Sequence, residues 1–170
     1  DELLLLKDME SVVEDYYNSG LFPTQINWIL SGESSPFRFF LEFGKWKVTQ
    51  GLRLIPQSLE DRCCALKDFL HPQRKEELPL LHDLCLFDLC LHGKPKKLPD
   101  WIQTEQNLLF KEQIHNFYRN DDLLSSLLCC KDASLKQVIK QTHLQIFSFH
   151  PLTLKKQRCA FLFDYRERDL

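Results

Sequence analysis

HDLCLFDLCLHG, residues 82–93, decides how the rest of the chain is read. It holds two histidines and two cysteines within twelve positions. It is a metal site, a redox site, or a buried helix that uses cysteine as a small apolar filler. Each residue of an α-helix advances by roughly 100°, so Cys85 and Cys90 point roughly 140° apart and Cys90 and His92 lie on nearly opposite sides. His82 and Cys85 share a face. One helix therefore does not offer Cys85, Cys90, His82 and His92 to one tetrahedral ion, and zinc modules use a C-x-x-C knuckle that this chain lacks. The intervening Leu84, Leu86, Phe87, Leu89 and Leu91 make the segment apolar almost all round, the pattern of a central, buried helix. Asp88 is the exception, because a carboxylate in such a helix must find a partner or a rim.

Working outward, helix signals recur on both sides. Residues 2–18 carry apolar positions at three- and four-residue steps and end at Asn18-Ser19-Gly20. Pro23-Thr24 opens a short helix. Ser35-Pro36 starts another, with a capping hydroxyl before proline at the first helical position, and its stripe of Phe37, Phe40, Phe43 and Trp46 is either core or a surface that docks on a larger protein. Ser58 caps a helix that runs to about Leu70, with Asp61 completing a variant capping box. Helices are expected over 74–92, 104–118, 122–130 and 133–141. The period then changes: HLQIFSFH (143–150) and RCAFLFDYR (158–166) read as two paired strands. The fold class expected is mainly α, a single-domain irregular helical bundle with a C-terminal β-hairpin over residues 1–170.

Composition narrows the functions. A chain of 170 residues buries enough surface to fold without a metal or disulfide. Its net charge of −2 gives no global attraction to nucleic acid or anionic lipid. No apolar run approaches a membrane span, and the run Leu3 to Leu6 is flanked by acids and a lysine. Seven cysteines, an odd number with two adjacent pairs (Cys63-Cys64 and Cys129-Cys130), point to free thiols in a reducing, cytoplasmic setting. Glycine is scarce, which suits helices. The chain begins at Asp1, and its one methionine, Met9, lies inside an apolar-periodic segment. It is therefore expected to be a piece of a longer protein.

Catalytic signals are weak. Ser31-Gly32 lacks the strand and oxyanion loop of a nucleophile elbow. The acid pairs Glu14-Asp15, Glu76-Glu77 and Asp121-Asp122 read as solvated surface charge. Lys94-Pro95-Lys96-Lys97 beside Trp101 is a small nucleic-acid signal; a solvated loop with its tryptophan packed back on the body is expected instead.

Four pieces, in order, carry a resemblance: DYYNSGLF (15–22), SPFRFFLEFGKW (35–46), LCLFDLCLHGKPKKLPDW (84–101) and FDYRERD (163–169). Together they resemble the C-terminal helical domain, of unknown function, of bacterial cobalamin-binding radical SAM proteins. The resemblance covers nearly the whole chain and consists of structural signatures. It implies a parent with an N-terminal cobalamin-binding module and a radical SAM barrel, using a [4Fe-4S] cluster, S-adenosylmethionine and cobalamin. The cluster is held there by C-x-x-x-C-x-x-C, which this chain does not contain, so no ligand or catalytic residue is carried over. The resemblance implies an accessory domain that docks on the N-terminal domains of its own chain. Tyr16, Tyr17, Trp28 and Trp46 are the candidate docking surface, because aromatic anchors dominate interfaces. Two other readings stand beside it: a stand-alone helical protein-interaction module, and a thiol or metal protein using Cys85, Cys90, His82 and His92.

Overall fold

The computed structural model describes residues 2–53, 55–102, 110–120, 122, 124, 126 and 135–166. Among them are seven α-helices and one antiparallel hairpin, a mainly α architecture as the periodicity predicts. Helix α1 (Glu2–Val13) runs into a π-helical turn (Glu14–Asn18), and Gly20 follows at φ +67°, the left-handed conformation that glycine adopts without strain. Helix α2 spans Pro23–Ser31 and α3 spans Pro36–Thr49. The Ser35 hydroxyl accepts from the Arg38 N–H, and Pro36 occupies the first turn, as expected. In α4 (Leu59–Leu70), Ser58 and Asp61 form the reciprocal capping box. A 3-10 turn (Lys75–Glu77) leads into α5 (Leu78–Leu91).

Helix α5 is the axis of the fold. Every residue from Leu81 to Cys90 is buried, so the helix is enclosed on all sides. Around it gather Ile26 and Ile29 of α2, Phe39, Phe40 and Phe43 of α3, and Cys63, Leu66 and Leu70 of α4. The aromatic stripe of α3 is largely core: the Phe43 ring stacks on Phe69 at 4.7 Å. Phe37 is the member of the stripe that stays exposed. Helix α3 also crosses α1 closely at Gly44. A Cβ there would meet the backbone of Asp8 and Met9 at 3.1 Å, so only a glycine lets the two helices approach this far.

Helix α6 covers Lys111–Tyr118 and α7 covers Leu135–Gln141. The expected helix over 122–130, the first half of the one over 104–118, and Cys129-Cys130 lie wholly or mostly outside the described residues. Helix α7 continues directly into β1 (Thr142–Phe147), which pairs with β2 (Cys159–Asp164) from Thr142↔Asp164 to Phe147↔Cys159. Phe147, Phe161 and Phe163 pack around Phe87 of α5, with centroids 5.1–5.8 Å away. Leu144 faces the other way and joins Tyr118, Leu124 and Val138 in a second, smaller cluster. The strands are shorter than the sequence pattern predicts. A carboxylate from α5, described next, takes the N–H groups of Ser148 and Phe149 and so ends the ladder.

Candidate functional site

The residues of the 82–93 stretch are dispersed by the geometry of their helix. Cys85 is fully buried against Cys63, and Cys90 is buried in the same core. Burial pushes the Cys90 thiol up to about 12 and raises Cys85 well above the usual range, so both stay protonated and packed. His82 is buried, with Nδ1 3.0 Å from Asp83 and Nε2 3.2 Å from the Ile102 carbonyl. His92 lies at the exposed C-terminal end of α5. Among the described residues, no three His, Cys, Asp or Glu side chains converge as metal ligands. Cys63, Cys64, Cys85, Cys90 and Cys159 are free thiols.

The two carboxylates of the stretch act as tertiary anchors. Asp88 reaches the N-terminus of α2, which has no capping side chain of its own. Its oxygens accept from the Thr24 and Gln25 N–H groups at 3.1 Å, from the Thr24 hydroxyl at 2.8 Å and from the Gln25 amide at 3.1 Å. Burial nevertheless raises its pKa, against the pull of these four donors. Asp83 accepts from the Ser148 and Phe149 N–H groups at 2.7 Å and ties the end of β1 to α5. A third carboxylate, Asp15, is solvated charge by the sequence reading, because it sits beside Glu14. The structure corrects this: Asp15 pairs with Lys47 at 3.3 Å and Arg62 at 3.1 Å, joining the π-turn to α3 and α4.

Of the four docking candidates, Tyr16 and Trp28 are buried, Trp46 is half-buried and Tyr17 is 55 % exposed. Tyr16 stacks on Phe22 and donates from its hydroxyl to the Arg62 carbonyl, and the Arg74 guanidinium lies over Trp28. Tyr16 and Trp28 are thus interior side chains of this fold, and Tyr17 is the one presented outward. Trp101 packs back on the body, edge-on to His82 and beneath Lys67, so it does not accompany the lysine loop as a stacking platform.

The larger apolar surface lies elsewhere. Leu3, Leu4 and Leu6 of α1 are exposed, Leu3 to 71 %, and Leu5 is half-buried. Four consecutive leucines point round the whole circumference of the first turns of α1, and none of them is fully buried among the described residues. Beside them, Leu4, Leu5 and Val48 line a groove of about 590 Å³ between the start of α1 and the end of α3, rimmed by Lys45, Thr49 and Arg53. The Asp8–Arg53 ion pair, 2.7 Å, closes one end. The sequence held this signal in the LLLL run, where the apolar residues exceed one helical stripe.

The profile of a family described as "Protein of unknown function (DUF4080)" matches residues 1–163. The chain belongs to the DUF4080 family. No curated protein and no solved structure matches it. The DUF4080 match spans every described element nearly to the end of β2, so the α5-centred helical core and its hairpin belong to the family domain. No helix among the described residues is long and apolar enough to cross a membrane.

Proposed function

We propose that this DUF4080 chain is the C-terminal accessory domain of a cytoplasmic, cobalamin-binding radical SAM enzyme, and that it docks on the catalytic core of that enzyme. The observation that carries the docking is the leucine-walled end of α1 with its groove against α3. A helix turn that is apolar all round is stable inside a protein, and Leu3, Leu4 and Leu6 of α1 stand exposed. The link to radical SAM chemistry is supported by the resemblance of the four sequence pieces. The [4Fe-4S] cluster, S-adenosylmethionine and cobalamin would belong to the N-terminal domains. The part of this chain is to bury Leu3, Leu4, Leu6 and Val48 against them, with Tyr17 and Phe37 as further exposed aromatic anchors.

The test expresses residues 1–170 and the upstream portion of the parent as two polypeptides in one cell. Co-elution of the two is expected, and Leu4→Asp with Val48→Asp should abolish it while Lys140→Glu leaves it intact. Co-elution that survives the double aspartate variant, or its absence with the natural sequence, would overturn the docking face.

A further inference from the structure

A second concave surface lies away from the leucine groove, where the end of α5, the 93–97 loop, α7 and the segment after β2 meet. It encloses about 890 Å³. Its rim carries Lys94, Lys96, Lys97, Lys140 and Arg166, and the one carboxylate among the described residues that line it is Glu60. The chain as a whole has 22 lysines and arginines against 24 acids. Four lysines, with an arginine that is already paired to Asp164, are therefore a local concentration of positive charge set against the global balance, and the lysines favour a bound anion.

The cleft is built rather than incidental. Gly93, at φ +144°, lets the loop fold back, and Lys94 Nζ donates to the Ile139 carbonyl of α7 at 3.1 Å. This holds the lysine loop against α7. Arg166 is oriented by its ion pair with Asp164. Tyr165 is fixed at both ends: its hydroxyl donates to the Cys90 carbonyl at 2.7 Å and its N–H to the Gln141 carbonyl at 2.9 Å. Its side chain forms an aromatic wall, and Leu59, Leu89 and Pro95 add apolar surface. The Lys94 charge also reaches the hairpin, where burial first and Lys94 second hold His143 below the usual histidine range.

We propose that this cleft binds a small phosphorylated organic anion, its phosphates among the lysines and its organic part against Tyr165, Leu59 and Leu89. Lysine ammonium groups hold phosphate as point charges. The volume falls within the roughly 300–1,000 Å³ of small-molecule sites. A long polyanion is disfavoured, because away from the cleft the remaining acids of the chain outnumber its remaining lysines and arginines.

The experiment is calorimetric titration of the 170-residue chain with inorganic pyrophosphate, with ATP, with adenosine as the uncharged control and with a short single-stranded DNA. Saturable one-site binding of pyrophosphate and ATP is expected, with no heat from adenosine. Lys96→Glu with Lys140→Glu should weaken it by about tenfold or more, since two attractive charges become repulsive, whereas Lys7→Glu with Lys45→Glu should leave it unchanged. Circular dichroism confirms that both variants fold. Absence of saturable binding, equal weakening by the two pairs, or DNA binding tighter than ATP would each overturn the assignment.

Discussion

Asp88 is fully buried, with four hydrogen-bond donors facing it. Removing a carboxylate from such a setting takes the acceptor from the Thr24 and Gln25 N–H groups and from the Gln25 amide. Asp88→Ala is expected to lower unfolding free energy by about 3 kcal/mol in urea titrations. The pH dependence has a definite sign. Because burial raises the folded-state pKa, the native chain holds the proton more tightly than the unfolded chain just above the ordinary carboxylate range. In that window stability falls as pH rises, and above the raised pKa it levels. Asp88→Asn, which has no proton to lose, should remove this slope from the urea midpoint measured against pH. His143 runs the opposite way. Its lowered pKa makes stability rise with pH until the ordinary histidine value is passed. Lys94→Met should move the His143 titration upward when followed by NMR.

At the scale of elements, the contacts between helices and hairpin rest on a few unusual positions. Gly44 admits α1 to α3, and Gly44→Ala forces a methyl group against the Asp8 and Met9 backbone. A loss of about 1–3 kcal/mol is expected, despite the better helix propensity of alanine. Asp83→Ala should free the Ser148 and Phe149 amides, seen as faster hydrogen exchange at those two positions relative to the centre of β1. The helix starts at Pro23, Ser35-Pro36 and Ser58, the enclosed α5 and the existence of the hairpin were all legible from local sequence, because caps, proline and apolar period are local properties. The end of β1 was not. It is tied to Asp83, more than sixty residues earlier in the chain. The same holds for Asp88 and Asp15, whose partners lie in other helices. Aromatic type alone also does not separate the buried Tyr16 and Trp28 from the exposed Tyr17: size and a polar tip suit an interface and a core equally, and only the packing distinguishes them. The cleft escaped sequence reading for a similar reason, since Lys140 and Arg166 join the 94–97 lysines only through the fold.

The whole molecule combines an enclosed centre with an unfinished edge. Helix α5 is covered on every side, whereas the leucine run of α1 is open to solvent. A domain built to stand in water places polar residues at such an edge. The isolated chain should therefore self-associate at high concentration through that edge, and Leu3→Glu with Leu6→Lys should return it to a monomer by analytical ultracentrifugation without loss of thermal stability. The most direct measurement of the account is the nucleotide sequence of the gene on the 5′ side of the Asp1 codon. A reading frame that continues upstream through C-x-x-x-C-x-x-C, with an α/β cobalamin-binding module before it, is the predicted result. A start codon directly before Asp1, or an upstream frame without that motif, would contradict the assignment to a radical SAM enzyme.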